Sequence, residues 1–274
     1  MLDVLRALLM GFIQGVTEFW PISSTGHLIL VEKGLGANEA QFGLAFDAVI
    51  HLGTLLAILA FFWRDILSLL AALVGSIARR NPVYSPQAQL AWLLLLATVP
   101  AVLMGILFEK PIEDSLRSPL VVAGMLAGFA PVLLAAERWG SQERGLTRTR
   151  LWDAIAMGAA QALALVPGVS RSGITISTGM FRGITREGAA RFTFLLSIPI
   201  VAGAGGKKAL DVLTGTEAGS EMKVLAVGFL AAAFFGYLAI RYLLRFLANH
   251  RLNVFAYYRI ALAVAIVIVY VATR

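Results

Sequence analysis

The 274-residue chain contains no cysteine, and charged residues make up only 14% of it. The absence of cysteine excludes disulfides, thiolate catalysis and cysteine metal sites. Soluble domains carry about 25% charged residues, so the shortage of charge excludes an ordinary soluble fold. Hydrophobic residues make up 59%, and the formal net charge is +7. This composition predicts an all-α integral membrane protein with positively charged cytoplasmic loops. No cluster of basic and aromatic residues indicates nucleic-acid binding.

Six segments are long and apolar enough to cross a bilayer, which takes about 20 such residues. They are Gly43–Trp63, Ala88–Phe108, Pro119–Glu137, Ala189–Gly206, Val224–Leu244 and Val254–Ala272. Three of these transmembrane segments contain an internal proline, at Pro100, Pro131 and Pro199, where we expect a kink. Asp65–Ala78 is shorter and is predicted to be a helix at the membrane interface.

Two further apolar segments are interrupted by polar stretches that contain proline and glycine. The first comprises Val4–Phe19, a break at Pro21–Gly26 and a short helix at His27–Val31; the second comprises Leu151–Val166, a break at Pro167–Gly173 and a short helix at Ile174–Met180. Irregular backbone at membrane depth is tolerated only where protein buries it or where it lines a watery cavity. Both segments are therefore predicted to be re-entrant helix-loop-helix hairpins.

The two predicted hairpins resemble each other when the sequence is shifted by 147 positions. The matches are Gly11 with Gly158, Gln14 with Gln161, Ser23 with Ser170 and Gly26 with Gly173. They fall on polar and helix-breaking positions, which indicates an internal repeat. We predict a single polytopic membrane domain over residues 1–274, with one repeat over about 1–137 and the other over about 151–274.

The charges of the loops predict the orientation. Arginines follow the first, third and fifth spans and assign these ends to the cytoplasm; they are Arg64, Arg79, Arg80, Arg138, Arg144, Arg148, Arg150, Arg241, Arg245 and Arg251. Acidic residues occupy the loops between, at Glu109, Glu113, Asp114, Asp211, Glu217 and Glu221. Because three spans separate the hairpins, the hairpins enter from opposite sides. This is an inverted-topology repeat, in which broken-helix tips meet near the bilayer midplane.

The first break, in the stretch EFWPISSTGH, concentrates polar side chains in an apolar chain. Gln14 and Glu18 are four residues apart and share a helix face. Ser24 or Thr25 opens the next helix, either as part of an anion site or simply as an N-cap. A carboxylate inside the membrane is a functional-site hypothesis by default. Glu18 with Ser24 and His27 suggests a nucleophile beside a base, although a lone histidine also suits a structural role.

The second break supplies the opposite charge. Arg171 stands between Ser170 and Ser172, with Thr175 shortly after, in the stretch PGVSRSGIT. An arginine among hydroxyls and glycines suits bidentate capture of phosphate oxygens, and the alternative is an arginine that only sets topology. A carboxylate, a histidine, an arginine and several hydroxyls suit phosphoryl transfer, with or without a metal ion. A site between helices implies a lipid phosphate or diphosphate.

Three further polar residues stay open to interpretation. Asp47 and His51 form another pair four residues apart, which lies either at the mouth of the site or at the membrane interface. Gln161 is interpreted as a structural partner for the backbone of the second hairpin.

The stretches QGVTEFWPISSTGH and PGVSRSGIT resemble the two motifs of the bacterial undecaprenyl-diphosphate phosphatases of the bacitracin-resistance type. The resemblance runs over essentially the whole chain. It implies hydrolysis of undecaprenyl diphosphate to the monophosphate and inorganic phosphate, which recycles the lipid carrier for peptidoglycan synthesis. It also implies six spans and two re-entrant regions, a bacterial plasma membrane location, a site facing the periplasm, and a divalent cation, Mg or Ca. Whether the protein forms a homodimer stays an open question at this point.

The resemblance also implies roles for single residues. Glu18 binds the metal or assists the nucleophile, Ser24 is the favoured nucleophile, and His27 is a general acid/base or orients the serine. Arg171 holds the diphosphate. The residues implied to line the substrate pocket are Ser23, Thr25, Ser170, Ser172, Thr175 and Gln14. Many members carry glutamate where this chain has Gln14, so the metal assignment rests on Glu18 alone.

Two other functions compete with a phosphatase of this type. A transporter or flippase of a lipid phosphate is the main alternative, because inverted repeats with broken helices are typical of transporters. A transporter needs no nucleophile, so Glu18, Ser24 and His27 favour an enzyme. The acid phosphatase superfamily that cleaves lipid phosphates is the second alternative. It expects a histidine six residues after the arginine of its Ser-Arg motif, where this chain has Ser177, and its Lys-x6-Arg-Pro element is missing.

Overall fold

The computed structural model of the chain describes residues 1–35, 42–116, 118–213 and 221–272, without the side chains at 32–35, 44, 109–115 and 207–213. Within these ranges the chain forms eleven α-helices and one 3-10 turn at Leu146–Arg148. The helices are α1 Leu2–Phe19, α2 Ser24–Leu35, α3 Leu44–Phe61, α4 Trp63–Ala78, α5 Pro86–Leu116, α6 Pro119–Trp139, α7 Leu151–Leu163, α8 Arg171–Phe181, α9 Arg186–Leu213, α10 Met222–Asn249 and α11 Asn253–Ala272.

Five of the described helices contain stretches long and apolar enough to cross a membrane. They are Pro86–Phe108, Pro119–Trp139, Arg186–Gly206, Met222–Asn249 and Asn253–Ala272. The helices α3 and α4 make a sixth candidate if they are counted together, with a bend of 77° between them. The predicted all-helical, multi-pass architecture is thus confirmed, and the first predicted span corresponds to α3, which ends in this bend. Pro100, Pro131 and Pro199 all lie inside continuous helices.

The acidic loops that entered the prediction of orientation lie largely outside what the structure describes. The side chains of Glu109, Glu113, Asp114 and Asp211 and the whole of Glu217 lie outside the described part of the chain.

Both predicted breaks are present, but the helices resume earlier than the sequence predicted. α2 begins at Ser24 and α8 begins at Arg171, so these residues occupy first helical turns. The reason is capping by the preceding serine: the Ser23 hydroxyl accepts a hydrogen bond from the Gly26 N–H at 3.4 Å, and the Ser170 hydroxyl accepts one from the Gly173 N–H at 3.2 Å. Both capping serines have positive φ, at 70° and 72°. This backbone conformation is uncommon outside glycine.

The helices pack through small residues, as membrane helices do. α1 packs against α10, α10 against α3, and α3 against α9; α5 packs against α7, and α6 against α11. Gly11 of α1 faces the carbonyl of Gly228 so closely that a Cβ would clash with it, and Gly158 of α7 faces the carbonyl of Ala97 in the same way. We call α1 with α2, and α7 with α8, the two broken helices. The close approaches of Gly11 and Gly158 bring them into the bundle.

Two buried carboxylates near the ends of α6 and α7 pair with arginines, one of which, Arg144, is among the predicted cytoplasmic arginines. Asp153 of α7 accepts hydrogen bonds from Arg144 at 2.6 Å and from Arg182 at 3.0 Å. Glu137 of α6 accepts two from Arg186 of α9, at 2.6 and 2.7 Å. Because a carboxylate buried in this way stabilises only when it is paired, these contacts fasten the second broken helix and its neighbours at one end of the bundle.

Candidate active site

A cavity of about 320 Å³ lies where the two breaks meet. Its lining comes from five regions: the first break and its flanks (Thr17, Glu18, Ser23, Ser24, Thr25, Leu28), α3 (Asp47, Ala48, His51), α5 (Ala101), the end of α7 and the second break (Gln161, Ala164, Leu165, Val166, Pro167, Gly168, Ser170, Arg171) and α9 (Ile200, Val201, Ala204, Gly205). The polar groups converge on a mostly apolar wall, which is the usual composition of a small-molecule site.

The centre of the polar group is the Glu18 carboxylate, whose side chain is only 7% exposed. One oxygen, Oε1, accepts a hydrogen bond from Arg171 Nη2 at 2.7 Å. The other, Oε2, accepts one from Ser24 Oγ at 2.6 Å and one from Gln14 Nε2 at 3.0 Å. The structure thus brings together Gln14, Glu18, Ser24 and Arg171, which the sequence had placed on two separate hairpins.

The two neighbouring serines have different surroundings. Ser24 donates its hydroxyl proton to the buried carboxylate of Glu18, which is the arrangement of a nucleophile beside a base. Ser23 instead uses its hydroxyl oxygen to cap α2. The geometry therefore distinguishes the roles of the two hydroxyls.

The two candidate histidines also differ, and the structure brings His51 rather than His27 to the cavity. His27 Nδ1 lies 2.7 Å from the Ser23 carbonyl oxygen, and its Nε2 lies 2.7 Å from the Tyr258 hydroxyl. A carbonyl can only accept, so Nδ1 carries a proton and donates. His27 thus fastens the first break to α11 from outside the cavity. His51 Nε2 lies 3.8 Å from Glu18 Oε2, which places the ring at the carboxylate.

Some of the hydroxyl residues expected to line the pocket do line the cavity, and others do not. Thr25 and Ser170 line the cavity. Ser172 does not line it; its hydroxyl donates to the Trp20 carbonyl at 2.9 Å and so ties the second broken helix to the first. Thr175 is fully buried away from the cavity lining. Gln14 stands behind Glu18, as its hydrogen bond to that carboxylate requires.

One residue that sequence reasoning missed holds both breaks in place. Arg259 of α11 is fully buried. Its guanidinium donates to five main-chain carbonyls, with distances of 2.9 Å to Gly168, 2.9 Å to Val169, 3.1 Å to Leu126, 3.3 Å to Met125 and 3.5 Å to Pro21. The sequence did contain a signal for this residue: Arg259 is an arginine inside the apolar run of the last predicted span. A charge inside the membrane is rare and costly.

The described residues do not form a metal cage built from protein alone. Among them no group of three or more histidine, cysteine or acidic side chains is arranged to hold a metal ion. Both oxygens of Glu18 are already engaged by hydrogen bonds. The donor set fits a magnesium-type ion only in the common mode in which substrate phosphates and water supply most of the ligands.

The fold and this site define the chain as a multi-pass helical membrane protein with a buried carboxylate–serine–arginine cluster. The chain belongs to the bacitracin resistance protein BacA family, whose profile matches residues 7–265. The resemblance deduced from the two motifs is thereby confirmed.

Similar curated proteins bear the name undecaprenyl-diphosphatase. The protein of Rubrobacter xylanophilus is 48% identical over 263 residues, which cover 96% of this chain and 97% of the relative. That of an Anaeromyxobacter species is 46% identical over 271 residues, covering 97% and 88%. That of Moorella thermoacetica is 43% identical over 269 residues, covering 98% of each chain.

Proposed function

We propose that this protein hydrolyses undecaprenyl diphosphate to undecaprenyl phosphate and inorganic phosphate. The hydrolysis recycles the lipid carrier for peptidoglycan synthesis and so supports bacitracin resistance. The observation that carries this proposal is the Glu18 carboxylate, which bridges the Ser24 hydroxyl at 2.6 Å and the Arg171 guanidinium at 2.7 Å in one cavity. The family membership and the names of the relatives support it.

In the proposed reaction Ser24 is the nucleophile and Glu18 is its base. Ser24 Oγ attacks the terminal phosphorus, its proton passes to Glu18 Oε2, and the bond from that phosphorus to the bridging oxygen breaks. The lipid monophosphate leaves, and the terminal phosphoryl group stays on Ser24. Water then attacks the phosphoserine and the bond from the phosphorus to Oγ breaks. Glu18 returns its proton to Ser24 Oγ, and inorganic phosphate departs as one proton of the water passes to solvent. This is nucleophilic catalysis in two steps.

Arg171 supplies the positive charge that phosphoryl transfer needs. In the structure it is paired with Glu18, and an incoming diphosphate competes for the same guanidinium. When Arg171 turns its donors to the phosphoryl oxygens, Glu18 loses a partner that holds it as an unreactive anion. Substrate binding thus releases the base, and preorganised donors stabilise the charge that develops on the phosphoryl oxygens.

His51 is the histidine that we propose for proton handling in the cavity. Its Nδ1 lies 2.7 Å from the Asp47 carbonyl oxygen, which fixes the proton on Nδ1 and turns Nε2 towards Glu18. His27 is proposed to act on the reaction only through the Ser23 carbonyl that it holds. A divalent cation, Mg or Ca, would be held by Glu18 together with the substrate phosphates, and it would neutralise charge on the diphosphate.

We further propose that the two broken helices are re-entrant hairpins related by an inverted repeat within one domain, with repeats over about 1–137 and 151–274. The φ angles of Ser23 and Ser170, which differ by only 2°, support the repeat. The matching close approaches of Gly11 and Gly158 support it as well. The contact of α1 with α10 also has a counterpart in that of α7 with α5. The loop arginines support a plasma membrane orientation in which the cavity faces the periplasm.

Phosphate release from undecaprenyl diphosphate in detergent tests the function. Wild type, Ser24→Ala, Ser23→Ala and Arg171→Ala are run together, with magnesium, with calcium and with a chelator. We expect metal-dependent release by wild type that is lost in Ser24→Ala and Arg171→Ala and retained in part by Ser23→Ala. Full hydrolysis by Ser24→Ala contradicts the nucleophile. No release by folded wild type favours a lipid-phosphate transporter, and translocation in liposomes becomes the next assay.

A further inference from the structure

Gln161 lines the cavity and carries a buried amide that has no partner among the described residues. The residue is 3% exposed. Neither its amide oxygen nor its amide nitrogen has a hydrogen-bond partner in the described part of the chain. Leaving a buried donor and acceptor unpaired costs free energy, so a group of this kind points to something polar that binds in the cavity.

The corresponding residue of the first hairpin shows why Gln161 is unpaired. Gln14 stands 147 positions earlier and donates to Glu18, four residues further along α1. Four residues after Gln161 stands Leu165, which is apolar. The amide of Gln161 therefore lacks the partner that Glu18 gives to Gln14, and Gln161 lines the same cavity as Glu18, Ser24 and Arg171.

From this geometry we infer that Gln161 is a substrate-binding residue, whose amide donates to the phosphoryl oxygens of the bound diphosphate. The inference rests on the proposed phosphatase function. An amide suits this position because it adds a donor without adding a second cation that would compete with Arg171 for Glu18. It also leaves the released phosphate less tightly held than a charged donor would.

Two measurements on the full chain in detergent test this inference. The variants are Gln161→Met, which keeps the size and removes the donor, and Gln161→Glu, which adds a negative charge. Leu163→Met is the matched control, since Leu163 lies on the same helix and is exposed. The first measurement is KM and kcat for undecaprenyl diphosphate. The second is the affinity for inorganic pyrophosphate in a Ser24→Ala background, measured by thermal stabilisation.

We expect Gln161→Met to raise both the KM and the pyrophosphate Kd about tenfold, which is the usual effect of losing one hydrogen bond to a charged group. Gln161→Glu should raise both further, because its charge repels the phosphates. The ligand-free melting temperature of Gln161→Met should stay equal or rise, because an unpaired buried amide is removed. Leu163→Met should match wild type in all three quantities.

Unchanged KM and unchanged pyrophosphate affinity in Gln161→Met would overturn the inference and leave Gln161 facing only water. A lower ligand-free melting temperature with unchanged ligand affinity would overturn it too and assign a structural role. If wild type releases no phosphate, the proposed function is wrong, and the pyrophosphate affinities alone then decide whether Gln161 binds phosphoryl oxygens.

Discussion

Gln14 and Gln161 occupy the same place in the two broken helices, but Gln14 has Glu18 four residues later and Gln161 has Leu165. The backbones match, since each break ends in a serine with φ near 70° that caps the next helix. The side chains do not match: the first hairpin carries the carboxylate and its hydrogen-bonded serine, and the second carries Arg171. In the repeat that we propose, one framework used twice thus presents the proposed base and nucleophile on one side and a cation on the other.

The largest effect on this difference between the hairpins is expected when the carboxylate of the first hairpin is neutralised. Glu18→Gln keeps the size and should lower kcat about 1,000-fold, because general base catalysis contributes about 10²–10⁴-fold. Phosphate release measured beside Glu143→Gln, an exposed loop variant, checks this effect. A kcat within tenfold of wild type would remove Glu18 from the role of base.

The corresponding test of the second hairpin is Arg171→Lys. Lysine keeps the charge but lacks the planar fork, so kcat/KM should fall about 100-fold. Steady-state kinetics of Arg171→Lys measure the change in kcat/KM. Arg148→Lys, at an exposed arginine, is the control. If the arginine served only to set topology, lysine would replace it without loss.

A change in Arg259 should affect both hairpins together. Arg259→Lys loses most of the five hydrogen bonds to carbonyls of the two breaks and of α6. We expect kcat to fall about tenfold, because misplaced catalytic groups lose effective concentration, and we expect a lower melting temperature. Hydrogen exchange should rise at 24–27 and at 171–174 alike, with Arg251→Lys as the exposed control. Faster exchange in only one of these segments would show that Arg259 supports that hairpin alone.

The smallest expected effect comes from replacing the two capping serines by glycine, which tests whether the two breaks are alike in energy as well as in backbone conformation. Ser23→Gly and Ser170→Gly each relieve a positive φ that costs about 1 kcal/mol in a non-glycine residue. Each also loses a side-chain cap, and replacement of a cap by glycine costs a few tenths of a kcal/mol. Both variants should therefore change the free energy of unfolding by less than about 1 kcal/mol, with the same sign. Opposite signs in thermal unfolding would show that the breaks only look alike.

Local patterns were enough to predict much of this molecule. The apolar runs predicted the spanning helices, and the spacing of Gln14 and Glu18 predicted their shared face. The chemistry of the two breaks singled out Ser24 and Arg171. The prediction of the helices succeeds, and the structure brings Ser24 and Arg171 together at Glu18, because each pattern depends on residues that are near in sequence or on a length that the bilayer fixes.

The features that the sequence left open or predicted otherwise depend on packing between distant helices. His27 stands three residues after Ser24, yet it turns to Tyr258 of α11, while His51 of α3 reaches Glu18 across the bundle. Gln161 was interpreted as a backbone partner, whereas both of its amide atoms lack a partner among the described residues. The periodicity of a single segment cannot predict such contacts. The residue that holds the His27 ring, Tyr258, is more than a hundred residues away in sequence.

The buried guanidinium of Arg259 has a consequence for how the chain is built in the cell. Its five acceptors belong to carbonyls of residues 21, 125, 126, 168 and 169, all synthesised before α11. A last helix that enters lipid before these carbonyls are gathered carries a charge that costs about 2.5–3.5 kcal/mol at the bilayer centre. The charge on α11 therefore gains its full set of partners only once both halves have come together, which couples the docking of this helix to the assembly of the site.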